Sequence, residues 1–253
     1  MTATRRAIFA LAAVGLAALF CAGFLGLNPY GHASGVYATT LNAVAVAERH
    51  ATDVVAAVNF DYRGFDTMGE EFILFASTLG VGLLLRRQPD EREERSSDAG
   101  TSKREAPPTS GAVRVLGVAL VPLTVVFGAY VVAHGVPTPG GGFQGGVILA
   151  TAPLAVYLAS EARTFMAIAP QSVVEACEAI GAGAYVIVGA LGLLRGLELL
   201  SNVVPLGVPS KVFSGGTIFV LNVGVGLEVA AGFVVLLFAF VEETLEERMG
   251  AER

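Results

Sequence analysis

The stretch SGGTIFVLNVGVGLEVAAGFVVLLFAFV, residues 214–241, decides the fold. Its 28 residues hold one ionisable side chain, Glu228. As an α-helix this run is about 42 Å long, more than the roughly 30 Å hydrocarbon thickness of a bilayer. An apolar run of that length reads as a membrane span and not as the core helix of a soluble domain. Five further runs have the same character: Ala7–Leu27, Glu70–Leu85 with its flanks, Val113–Ala133, Phe143–Ser160 and Glu178–Leu200. Pro153 is expected to kink the fourth of the six. The prediction is an all-α polytopic membrane bundle of about six transmembrane helices.

Composition agrees. Over 253 residues the chain is 54% hydrophobic and 15% charged, with a mean hydropathy of +0.66. Soluble domains carry about 25% charged residues. The 31 glycines suit close helix packing in lipid. Basic residues are not interleaved with aromatics in a patch, so nucleic acid is not an expected partner. The two cysteines, Cys21 and Cys177, fall near opposite membrane faces, too far apart to bridge. No CxxC or Cys/His cluster points to zinc, haem or iron–sulfur ligation. No cofactor, no metal and no enzymatic activity are expected.

Loop charges orient the spans. With the N-terminus inside, Arg5, Arg6, Arg86, Arg87, Arg92, Arg95, Lys103, Arg104, Arg114, Arg163, Arg248 and Arg253 are cytoplasmic. Arg49, Arg63 and Lys211 are outside, and Arg195 falls in a span. Twelve against three obeys the positive-inside rule and puts both termini in the cytoplasm. Arg5 and Arg6 before an apolar run also fit a signal peptide, but the run is long for one. Phe20 before Cys21 is too bulky for a lipoprotein site, so an uncleaved anchor is the preferred reading.

Gln88–Gly111 is charged, then rich in Ser, Thr and Pro, and is expected to be a disordered cytoplasmic linker. The resulting division is 1–87 with two spans, 88–112 as linker, 113–245 with four spans, and 246–253 as a tail. No internal repeat is evident, so an inverted-repeat transporter is not supported.

In the outer loop of the first half, Leu41, Val44, Ala51, Val55 and Val58 recur at helical spacing, interrupted by Glu48. They predict an amphipathic helix lying on the outer surface or docked on a partner. Thr67-x-x-Glu70 has the form of a capping box opening the second span, and capping is favoured there over ion handling. Asp61, Arg63 and Asp66 are either a local ion-pair set or solvated loop charges. Ser172-x-x-Glu175 is a second capping box, with Glu175 and Glu178 placed to complement the fifth helix dipole. Arg195 and Glu198, three apart, are expected to pair.

Two features remain. Pro139-Gly140-Gly141-Gly142-Phe143-Gln144-Gly145-Gly146 joins the third and fourth spans, preceded by His134. Gly140-x-Gly142-x-x-Gly145 matches a dinucleotide fingerprint in form. That motif needs a strand before it, and here a membrane helix precedes it. Close packing through Gly142-x-x-x-Gly146 is the favoured reading; free N–H groups facing an ion or polar partner are the other. His134 is either an interfacial side chain or a proton relay. Glu228 lies at mid-span, where a charge costs roughly 2.5–3.5 kcal/mol on insertion scales. Gly224, Val225, Ala231 and Gly232 around it leave room for a neighbouring helix, so it faces a packed interior. There it is either a structural hydrogen-bonding group or a group that titrates during transport. Asn222 is on another face.

The stretch from His134 to Gly146, with Phe213-Ser-Gly-Gly-Thr217 and Asn222-Val-Gly-Val-Gly-Leu-Glu228, resembles the MnhB/MrpB subunit family of multisubunit Na+/H+ (Mrp-type) antiporters. The resemblance covers about 113–245. Asp61-Tyr-Arg-Gly-Phe-Asp-Thr-Met-Gly-Glu70 resembles the MbhE-type region found at the end of the large MrpA subunit and in membrane-bound hydrogenases. The chain thus looks like a fusion of two neighbouring subunits. That family often has Asp where Asn222 stands.

The resemblance implies antiport of Na+ or another monovalent cation against H+ in a bacterial or archaeal plasma membrane. It also implies partners among other membrane subunits, including large complex-I-related ones. No span contains lysine, so an accessory role is expected: scaffolding, with part of the cation path lined by candidates Glu228, His134, Asp61, Asp66 and Glu70. The alternatives are a subunit of a hydrogenase-like respiratory assembly, a purely structural subunit, and a stand-alone transporter.

Overall fold

The computed structural model describes residues 3–27, 35–85, 110–160 and 162–251. Every regular element among them is helical: α1 Ala3–Leu25, α2 Val36–Arg49, α3 Val54–Ala57, a π-helical turn Val58–Tyr62, α4 Gly64–Leu85, α5 Gly111–Ala133, α6 Gly142–Ala159, α7 Ala162–Ile168, α8 Gln171–Leu194 and α9 Thr217–Ala251. Six of these are long and apolar enough to cross a membrane: α1, α4, α5, α6, α8 and α9. The bulk of the linker expected at 88–112 lies outside the described residues. Its end does not: Ser110 caps α5, its Oγ accepting from Val113 N at 3.3 Å, so the helix starts at Gly111. The tail set at 246–253 is helical as far as Ala251, as a continuation of α9.

The chain forms two compact units, Met1–Ala43 and Val44–Arg253. In the first, α1 is exposed along its length, as a helix with an apolar surface on every side is when lipid is its solvent. In the second, α9 is the central element. It packs on α8, α6 and α4, while α5 packs on α6. Small residues make these approaches. A Cβ at Gly142 would stand 2.4 Å from the Asn222 carbonyl oxygen, one at Gly146 2.8 Å from Val229 Cβ, and one at Gly145 2.4 Å from a Val132 methyl. Gly142 and Gly146 therefore seat α6 on α9, and Gly145 seats it on α5. Van der Waals contact between backbones replaces the hydrophobic drive that lipid cannot supply.

One end of this unit is built by connections. The single amphipathic helix expected across Leu41–Val58 is instead interrupted. His50 takes φ 50°, α2 stops at Arg49, and α3 begins at Val54 after four intervening residues, with Asp53 Oδ1 accepting from Val55 N. The break lets the segment bind backbone elsewhere. Asp53 N donates to Val136 O, Thr52 Oγ1 donates to Pro137 O at 2.5 Å, and His50 Nδ1 contacts Gly207 O. After the break Ala51 is buried while Val55 is exposed, so the stripe is not one face.

Arg49 Nε donates to Asp61 at 2.5 Å and its guanidinium lies over the Tyr62 ring. Tyr62 donates to Glu48, and burial together with that hydrogen bond pushes its phenol up to about 12. Arg49→Ala is expected to cost about 1 kcal/mol, because the pair is only half-buried and solvent screens it. A lowered thermal midpoint in mild detergent checks this; an unchanged one removes the pair from the stability account.

Candidate functional site

A surface face of α4 would carry leucines toward lipid and apolar residues inward. Here the inward stripe is polar. Thr67, Glu71 and Thr78 are spaced i, i+4, i+11 on one face, and all three are buried. The opposing face of α8 carries Glu178, Gly181, Tyr185, Gly189 and Gly192, also buried. Glu228 on α9 is fully enclosed. Three carboxyl groups from three spans therefore meet inside the bundle.

Glu71 and Glu228 face each other within hydrogen-bonding reach. No donor from another described residue meets any of their four oxygens. Ionised carboxylates only accept, so a proton between the two is what makes the contact a hydrogen bond. Glu178 is the third member: Thr78 Oγ1 donates to its Oε1 at 2.5 Å. Its Oε1 lies 3.2 Å from where a Gly232 Cβ would be, one turn beyond Glu228 on α9. Tyr185 OH donates to Gly64 O at 2.8 Å beside Thr67. Gly181 lets α8 approach so closely that a Cβ there would be 2.6 Å from Glu228 N.

The residues singled out from the sequence fall as follows. Glu228 is at this site. Glu70 is exposed on α4, next to the buried Glu71. The helix begins at Gly64, so Thr67 sits inside it and the Thr67-x-x-Glu70 capping box is not formed. Asp61 pairs with Arg49, and Asp66 pairs with Arg63. His134 ends α5, half-buried, stacked on Tyr130 at 4.0 Å between ring centres, with Nδ1 near Tyr130 O. These four are not brought together with Glu228.

The reading of Glu178 as a dipole-complementing residue is corrected. The helix α8 starts at Gln171, so Glu178 is two turns inside it and buried, and no side chain caps that start. Glu175 instead accepts from Gln171 Nε2. The expected Arg195–Glu198 pair is also replaced. The helix ends at Leu194, so the i, i+3 geometry is lost, and Arg195 donates to Val203 O at 2.7 Å. Glu71 escaped the sequence reading. Its signal was its spacing from Thr67 and Thr78, at the head of an apolar run.

The glycine-rich turn Pro139–Gly146 is held by Asn222. Its Oδ1 accepts from Gly142 N at 2.7 Å, and its Nδ2 donates to Val132 O at 2.7 Å. Gly141, at φ 140°, places the first N–H of α6 toward α9. The N–H at this helix start is thus taken by a side chain of the same chain.

Residues 112–235 match a family described as a domain related to the MnhB subunit of Na+/H+ antiporter. The matched region includes Asn222, Glu178 and Glu228, and leaves Glu71 and Thr78 outside. An uncharacterized protein of Methanocaldococcus jannaschii is 28% identical over 214 residues, 78% of this chain and 80% of that protein. A chain of the membrane-bound sulfane sulfur reductase, an archaeal respiratory membrane complex, has a TM-score of 0.68 at 27% identity, over 93% of this chain and 97% of that one. A chain of the Mrp complex from Dietzia sp. DQ12-45-1b has a TM-score of 0.70, over 94% of this chain and 26% of that one. At 21% identity that second likeness shows a shared fold.

Proposed function

We propose, from the MnhB-related domain that residues 112–235 form, that this multi-pass membrane protein is an accessory subunit of a multisubunit monovalent cation/proton antiporter-type assembly. Its role there is to scaffold neighbouring membrane subunits and to line part of an ion path. The observation that carries the second half is the enclosed Glu71–Glu228 pair. Two carboxyl groups that meet no donor from another described residue inside a bilayer-spanning bundle are costly, and residues of that kind mark ion and proton routes. Both termini are placed in the cytoplasm. With Arg195 beyond the end of α8, the charges divide twelve inside against four outside, which keeps the same orientation. The expected cargo is Na+ or another monovalent cation, exchanged for H+ by the assembly as a whole.

Glu228→Gln tests the path. In vesicles carrying the intact assembly, cation-driven proton flux is expected to fall at least about tenfold, with the subunits still co-purifying. Unchanged flux with normal assembly would leave a scaffold alone.

One observation favours a second reading. The chain aligns nearly end to end with a single chain of a respiratory complex, both halves included. In that case the assembly served is a redox-driven one. Co-purification in mild detergent separates the two. Membrane subunits alone support the antiporter; iron–sulfur or other redox proteins support the respiratory complex.

A further inference from the structure

We propose that the cargo of the Glu71–Glu228 site is the proton and not the metal cation. This deepens, and rests on, the reading of the pair as part of an ion path. Three observations carry it.

The first is the chemistry of the contact. Two carboxyl groups meet with no cationic or N–H partner from the described residues on any oxygen, Glu71 being 2% exposed and Glu228 0%. One shared proton turns this arrangement from a repulsive into a bonded one.

The second is the shortage of other ligands. A hard cation takes its coordination shell from several oxygens at once. The neighbouring hydroxyls bond elsewhere and none reaches the oxygens of the pair: Tyr185 donates to Gly64 O, and Thr78 donates to Glu178 or to Phe75 O.

The third is space. Gly181 backs directly onto the Glu228 backbone, and Val225 and Val229 on the flanking turns are fully enclosed. On the α8 side a hydrated cation finds room beside Glu228 only if α8 and α9 separate, whereas a proton needs none.

The titratable groups facing the pair from the packed helices are Glu178 and Tyr185 on α8, while Glu70 on α4 is exposed and turned away. Glu175 acts in turn on Glu178. Glu178 on α8, hydrogen-bonded to Thr78 and adjacent to Gly232 of α9, is the next group able to receive the shared proton.

Infrared difference spectroscopy on the intact assembly in lipid tests the proposal. Wild type minus Glu228→Gln is expected to show a protonated-carboxyl C=O band. The band should fade as pH is raised and stay unchanged when Na+ replaces choline at constant pH. Wild type minus Glu71→Gln is expected to show the same band, which covers the case in which one variant fails to assemble. Absence of the band, or its loss on adding Na+, overturns the proposal. A Na+-insensitive band together with unchanged flux in Glu228→Gln leaves the proton pair standing and removes its transport role, so the two failures are distinguishable.

Discussion

Asn222→Leu is expected to destabilise the bundle by about 1–3 kcal/mol, measured as a shift in denaturant or thermal unfolding in detergent. Leucine is close in size to asparagine, so the loss is of hydrogen bonds and not of volume. Asn222 is fully enclosed and makes one bond to Gly142 N and one to Val132 O, joining the start of α6 and the end of α5 to α9. Helix ends leave N–H and C=O groups without intrahelical partners. Water does not reach groups buried at this depth to take their place. The Val132 carbonyl keeps a bond from Gly135 N, so most of the cost falls on the Gly142 N–H. Asn222→Asp separates the two bonds. A protonated aspartic acid makes both; an aspartate accepts from Gly142 N but sets an anion against the Val132 carbonyl. The Asp variant should therefore be nearer wild type at low pH than at high pH. A leucine variant within 0.5 kcal/mol of wild type would show that the clamp contributes nothing net.

Gly181→Val is expected to cost about 3 kcal/mol, at the upper end for overpacking, because the obstructing atoms are backbone. A Cβ at 181 would lie 2.6 Å from Glu228 N, 2.7 Å from its Cβ and 2.8 Å from its Cα. None of these moves by a rotamer change. The interface between α8 and α9 must open, and Glu228 then moves relative to Glu71 on α4. The variant should lose stability and proton flux together. Gly183→Val on the same helix, with nothing within 4 Å of its added Cβ, is the control and should leave both unchanged. Equal behaviour of the two variants would place the tight α8–α9 approach outside the native structure.

Much of this architecture is legible in one dimension. The bilayer imposes a length on each span and forces each to satisfy its own backbone, so apolar runs of sufficient length announce themselves. Glu228 announces itself for the same reason: a lone carboxyl in such a run has to find an interior. The resemblance in the glycine-rich turn and the last span led to the same family as the match over residues 112–235.

What was misread lies at helix boundaries. Thr67-x-x-Glu70 has the form of a cap, yet α4 already starts at Gly64, so Thr67 and Glu70 lie inside the helix, Glu70 exposed and Glu71 buried. Moving the start of α8 from Glu178 back to Gln171 turns Glu178 from an end group into a buried one. Where a helix begins decides which residues are end groups, and the helices packed around it decide which of its faces is buried; local pattern carries neither.

The count of apolar spans, the all-helical character and the buried glutamate in the last span follow from the order of residues, because hydropathy and helical rise are properties of a segment alone. The partnership of Glu71 with Glu228, of Thr78 with Glu178 and of Asn222 with Gly142 joins residues 80 or more apart, on helices whose rotation about their axes is set by which glycines touch which backbone. That rotation belongs to the packed bundle, and with it the change of Glu228 from a lone buried charge into one half of a carboxyl pair.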